Sequence, residues 1–225
     1  DAEALKAFVN DVLYPLWDKK SVDHSVRTRS ETRDAANSDL RVATGLLDIR
    51  LICGNSDLVA NVKSDSLDFW RRNAKDNLVS LRKSLQDRHA RAGELAYLLE
   101  PDLKEARGGL RDIQALRAIS LTGAVAVPLE KVSWAEVTLN NVRECLHIAS
   151  GRGKDRLLFQ EQDKVAALLK HSDADVMMSE VARAARSVDF LLTYTWHAVE
   201  NKSSDGISRI LRRDRVATVA KNVSA

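Results

Sequence analysis

Turn-forming residues are scarce in this 225-residue sequence: nine glycines and three prolines, less than half of the ~12% an ordinary globular chain carries. A chain with so few turns is made mostly of long elements, and these read as helix. No apolar run approaches the ~18–20 residues of a membrane span. The stretch DAEALKAFVNDVLYPLWDKK places two acids ahead of its first lysine and has no cleavable apolar core. Membrane and secretory readings are therefore not expected. Cysteine is limited to Cys53 and Cys145, each read inside an apolar helical stripe and not in a close-spaced pair. Neither a disulfide framework nor a zinc knuckle is suggested, and a reducing cytoplasm is expected. An excess of one charge is also missing. Lys and Arg number 35 against 32 Asp and Glu, a net +3 that points to neither nucleic acid nor a membrane surface as a partner. What is present, 44% hydrophobic residues, is enough to bury a core. The length suits one domain, or one domain and part of another.

Leu5, Phe8, Val9, Val12, Leu13 and Leu16 recur at helical spacing and predict an amphipathic helix over residues 3–18. Residues 21–28 break that pattern. Val22, His24 and Val26 alternate with Asp23, Ser25 and Arg27, which predicts a strand that must find its partners elsewhere. Helix resumes at Glu31, with Asp39 as N-cap for the stripe from Leu40 to Leu51 and Gly54 as the stop. Leu67, Trp70, Ala74, Leu78, Leu81 and Leu85 predict one long surface helix whose basic residues form a solvated face. Four more stripes start at Leu110, Trp134, Leu158 and Val181, with short links at 123–128, 150–153 and 170–174. Short links favour antiparallel neighbours, hence a helical bundle with Trp70, Trp134 and Trp196 largely buried. After Glu200 the helical pattern gives way to a polar tail, irregular or paired in short strands.

The most singular stretch runs from Leu99 to Gln114, Leu-Glu-Pro-Asp-Leu-Lys-Glu-Ala-Arg-Gly-Gly-Leu-Arg-Asp-Ile-Gln. Gly108 and Gly109 open a helix, with Lys104, Arg107 and Arg111 around that end. Free amides and positive charge there suit an anion. The same residues also suit a tight turn, with Arg111 and Asp112 as structural braces. Asp173-Ala174-Asp175 reads as a helix N-cap, and residues 151–156 resemble a phosphate loop in composition only. The five histidines share no spacing with acids or with one another, so zinc binding is not expected.

The Glu-Pro-Asp-Leu-Lys-Glu and Gly-Gly-Leu-Arg-Asp-Ile-Gln blocks resemble the signature of the bacterial PII uridylyltransferase/uridylyl-removing enzyme family. A looser form occurs in the related glutamine synthetase adenylyltransferase. Further blocks resemble the family in the same order: Leu16-Trp17-Asp18, Asp23 to Thr28, Asp39-Leu40 with Ala43-Thr44, Leu46 to Arg50, and Arg152 with Asp155 to Phe159 and Gln162. The resemblance spans roughly residues 1–200, and its Asp-His form looks actinobacterial, where members transfer AMP or UMP. It implies a parent with a nucleotidyltransferase domain, a helical domain, an HD-type hydrolase domain and two ACT modules. The Gly-rich turn with Asp-x-Asp, and any His-Asp dipeptide, are missing from this sequence.

By that resemblance the chain is a fragment of the enzyme that uridylylates or adenylylates a PII-type signal protein in nitrogen regulation, using UTP or ATP with Mg²⁺ or Mn²⁺. Alone it is expected to hold no metal and to be inactive, because two-metal transfer needs paired acids. The implied organisation is mainly α: the end of an α/β nucleotidyltransferase domain over 1–55, a helical-bundle domain over 56–200, and a tail over 201–225. Asp23 is the catalytic and metal-side candidate by resemblance, or else a strand-edge acid. His24, Arg27, Lys104, Arg107, Gly108, Gly109 and Arg111 are the nucleotide or anion candidates, with His24 otherwise a half-buried strand residue. The alternative function is a non-catalytic helical module that docks a protein through its basic faces.

Overall fold

The computed structural model describes residues 2–17 and 26–202. Asp23, His24 and most of the expected strand lie outside that set, as does the tail from 203 onward. The elements are helices α1 (Ala2–Trp17), α2 (Arg29–Ser38), α3 (Leu40–Leu46), α4 (Ser56–Arg72), α5 (Ala74–Ala92), α6 (Leu110–Leu121), α7 (Ser133–Ser150), α8 (Phe159–Leu168) and α9 (Ala174–Lys202). Two 3-10 turns, Leu95–Tyr97 and Leu129–Val132, join them. The molecule is thus mainly α. No strand occurs among the described residues; two isolated bridges, Glu94 with Arg107 and Asp102 with Arg156, are the only extended pairings there.

Local chemistry explains the helix starts. Thr28 accepts the Glu31 amide while the Glu31 carboxylate accepts the Thr28 amide, a reciprocal cap that opens α2. Asp39 closes α2 and caps α3, accepting the Arg41 amide at 2.7 Å. Asn55 does the same for α4 through the Leu58 amide. Three expectations need correction. The α3 helix stops at Leu46, well short of Gly54, and Cys53 is exposed in the connection and not on a helical stripe. The long helix expected over 67–85 is two helices parted at Asn73, whose side chain and amide both donate to the Phe69 carbonyl. Trp134 is 36% exposed, its ring lying 4.8 Å under the Arg183 guanidinium, whereas Trp70 and Trp196 are buried.

The core is organised around α9, which contacts α6, α7 and α8. Met177, Val181, Ala184, Val188, Leu192, Thr195 and Val199 are buried along it at steps of three or four. Facing it are Ile113, Leu116 and Ile119 of α6 and Leu139, Val142 and Leu146 of α7. α4 and α5 flank α6. There the indole N–H of fully buried Trp70 donates to the Ala118 carbonyl at 2.8 Å. α2 and α3 pack on each other and on α4.

Candidate functional site

The segment between α5 and α6 is a turn stitched into the bundle from several sides. Asp102 folds back to accept the amides of Lys104 and Glu105 at 2.9 and 2.7 Å. The Leu103 amide donates to the Asp155 carbonyl, and the Leu157 amide donates to the Pro101 carbonyl, which ties the turn to the chain entering α8. Glu100 accepts the Phe159 amide at 3.0 Å, and Gln162 donates to the Leu99 carbonyl at 2.7 Å. Two sequence blocks some sixty residues apart therefore meet at the N-terminus of α8.

Gly108 sits at φ +85°, and a Cβ there would stand 2.5 Å from the Ala185 carbonyl oxygen of α9. Only glycine suits both the left-handed backbone and that contact. Gly109 is the N-cap of α6, and a Cβ there would stand 2.8 Å from the Ala106 and Leu103 carbonyl oxygens of the turn itself. The amides from Gly109 to Asp112 donate to the carbonyls of Ala106, Leu103, Lys104 and Gly109, and the Gly108 amide donates to the Asp112 carboxylate at 2.7 Å.

Asp112 is the electrostatic centre of this region. Its side chain is fully buried and accepts from Arg88, from His89 Nε2 at 2.9 and 3.1 Å, and from Gly108. Arg88 also donates to the Glu105 carbonyl at 2.6 Å. Burial by itself would push the Asp112 carboxyl up, but hydrogen bonding and charge from His89, with Arg88 and the Gly108 amide, hold it below the usual carboxylate range. Since an ionised carboxylate only accepts, His89 carries its proton on Nε2. Asp155 forms a second such centre, drawing in Arg143 at 2.6 Å, His147 at 2.9 Å and Lys104 at 3.7 Å. Its carboxyl is likewise lowered, burial being outweighed by the Arg143 and His147 hydrogen bonds.

The remaining residues singled out in the sequence are dispersed. Arg107 pairs with Asp189 of α9 at 2.6 Å and lies 3.6 Å from Glu94. Arg111, about half exposed, lies 3.4 Å from Glu105 and donates to Gln114 at 3.1 Å. Arg27 is exposed, just before the Thr28 cap. Asp173 accepts the Val176 amide at the start of α9. Although the histidines share no sequence spacing with acids, the fold brings two of them onto carboxylates: His89 meets Asp112 and His147 meets Asp155. The second pair was legible, since Arg143 and His147 share a helix face one turn from the loop carrying Asp155. The first was not, because Arg88 and His89 reach Asp112 only through the crossing of α5 and α6. Among the described residues, no three His, Cys, Asp or Glu stand close enough to hold a metal ion. No described helix is long and apolar enough to cross a membrane.

Residues 77–196 match the family model described as GlnD PII-uridylyltransferase, an interval that contains both carboxylate centres. A bifunctional uridylyltransferase/uridylyl-removing enzyme of Streptomyces coelicolor is 44% identical over 200 residues, 88% of this chain and 24% of the relative. Proteins of that name from Mycobacterium tuberculosis H37Rv and Corynebacterium glutamicum are 35% and 33% identical, over 95% and 82% of this chain and 28% and 27% of their own lengths. The chain spans about a quarter of the length of these curated relatives. No solved structure matches it. With the matched interval covering more than half of the sequence and containing the buried Asp112 turn, the chain belongs to the GlnD PII-uridylyltransferase family.

Proposed function

We propose that this chain is part of a cytoplasmic enzyme that transfers a uridylyl or adenylyl group from UTP or ATP to a PII-type signal protein in nitrogen regulation. The observation that supports this most is the Leu99–Gln114 segment. The residues that resemble the family signature are the ones the fold draws together, through Asp112, Gly108 and the contacts of Glu100 and Leu99 with α8. In this reading the bundle is a rigid platform that presents target or nucleotide to the transferase domain, the end of which lies over residues 1–55. Mg²⁺ or Mn²⁺ would supply Lewis-acid stabilisation of the reacting phosphate. The described residues do not fit such an ion. Asp23, with His24 and Arg27 of the same sequence block, is the proposed contribution of this chain to the metal and nucleotide side.

The test is incorporation of labelled UMP or AMP from the triphosphate into a PII-type protein. The full-length parent should transfer, its Asp23→Asn variant should transfer far less, and the 225-residue chain should stay at the no-enzyme blank. Incorporation by the chain alone would overturn the assignment of the paired acids to other parts of the enzyme. No transfer by the parent would overturn the whole reading. The alternative of a non-catalytic docking module has one observation behind it: Phe190 and Tyr194 of α9 are 74% and 58% exposed on the face that carries Arg183 and Arg186. A parent inert toward both triphosphates would favour it.

A further inference from the structure

Helix α9 has two sides of different character. Ala185 and Asp189 meet the turn that carries Gly108 and Arg107. Phe190 and Tyr194 each stand five positions further on, about 140° around the helix and away from that turn. This second side borders an open groove of about 940 Å³. The link into α7 supplies Pro128 and Val132 to the groove, α9 supplies Leu191, and Val132 and Leu191 are buried. Three cations, Lys131, Arg183 and Arg186, border it against one carboxylate, Glu130. All three are exposed, and none has a carboxylate within 4.0 Å among the described residues. Arg183 is steadied by a ring instead. Its guanidinium lies over Trp134, a contact that occupies the guanidinium face and leaves the in-plane N–H groups for a partner.

Exposed aromatic rings beside unpaired guanidinium groups are the side chains that concentrate at protein interfaces. Charge and shape then select the occupant. A second copy in an isologous contact would set three cations against three. A lipid surface needs a convex face, and a sugar-phosphate backbone would satisfy the cations while leaving the apolar floor of Val132 and Leu191 unused. No strand among the described residues offers an edge, so an extended peptide has no backbone to pair with. A helix laid along α9 fits both halves. It meets Arg183 and Arg186 at one end and Phe190 and Tyr194 at the other, over ~16 Å or about three of its own turns. We propose that the α9 groove docks an amphipathic helix of a partner protein, with acids clustered toward one end of that helix and apolar anchors toward the other. This docking site is separate from the Leu99–Gln114 segment and holds whether or not the parent transfers nucleotide.

Fluorescence anisotropy on the 225-residue chain tests this with a labelled alanine-based helical peptide of about 16 residues, ~24 Å long. It carries glutamates in its first half and leucines one turn apart in its second. The peptide should bind in the micromolar range, and less well as salt rises. Exchanging its glutamates for lysines, or its leucines for alanines, should weaken binding ~10-fold or more. Phe190→Ser in the protein should do the same. Arg186→Glu should lose the glutamate peptide and gain the lysine one, a reversal that loss of fold cannot produce. Lys164→Gln, on the exposed face of α8, should change nothing. The inference is overturned if the glutamate peptide fails to bind at millimolar concentration, if Phe190→Ser leaves binding intact, or if oligo-dT or anionic vesicles bind at the groove in preference to it. Three other results also overturn it, each by naming a different occupant. They are a dimer in sedimentation that Phe190→Ser dissociates, exclusion of the peptide by the full-length parent, and displacement of the peptide by a PII-type protein.

Discussion

Asp112 shows how one carboxylate can be both a cost and an anchor. Removing it leaves Arg88 buried beside the apolar faces of α5 and α6 with its charge uncompensated. Asp112→Ala should therefore destabilise the fold by about 3–5 kcal/mol, read as a lower urea midpoint. Because the folded carboxyl is depressed, the stability it contributes is complete above the unfolded value of ~3.9 and is lost as pH falls toward the folded one. Wild-type melting temperature should thus hold through neutral pH and drop below about pH 4. The drop should be shallower in Asp112→Asn, and equal slopes would contradict the account. Gly108 sets a different kind of limit. An alanine there needs both a left-handed backbone and room that the Ala185 carbonyl already occupies, so Gly108→Ala should cost roughly 3 kcal/mol or more. Gly45→Ala, facing open space within a helix, should by contrast be neutral or mildly stabilising. Sequence reading drew attention to Arg111 and Asp112 alike. One helical step of 100° separates their fates, since position 112 faces α5 while position 111 faces solvent.

At the scale of elements, caps were more legible than breaks. Asp39 declares itself because a short acceptor ahead of an apolar stripe has one good use, and the fold uses it. The break at Asn73 stayed hidden because it is nearly in phase. Its φ of −100° and ψ of 22° leave helical geometry at that one residue, yet apolar positions continue at three- and four-residue steps from Trp70 through Leu85. Leu51 and Cys53 erred the other way, their apolar character suggesting more helix than Gly45 and the 47–55 connection sustain. The link between the turn and α8 depends on Asp155, which receives Arg143, His147 and Lys104. Asp155→Asn keeps the shape and removes the charge. It should speed hydrogen exchange at the Leu103 and Leu157 amides, whose bonds cross this link, while leaving the Leu139 and Val142 amides of α7 at wild-type rates. Uniform change across all four amides would show that the link is not a local unit.

For the whole molecule, helical class was legible because it follows from periodicity. The partners of Asp112 were not, since a hydrogen bond across 23 or 24 positions depends on which helices cross, and periodicity carries no such information. Helix α9 has a further consequence, in the order of synthesis. It leaves the ribosome after α6, α7 and α8, yet all three pack against it. At ~5–20 residues per second, the nascent chain spends seconds with Leu116, Leu139 and Val165 made but without the surface that covers them. The bundle is thus obliged to close late and in one act, with exposed apolar surface as the intermediate condition. A chain ended at Ser172 should collect in the pellet or on chaperones during expression, while one ended at Lys202 should be recovered soluble. Soluble, cooperatively melting protein from the shorter chain would show that α4–α8 close without their spine.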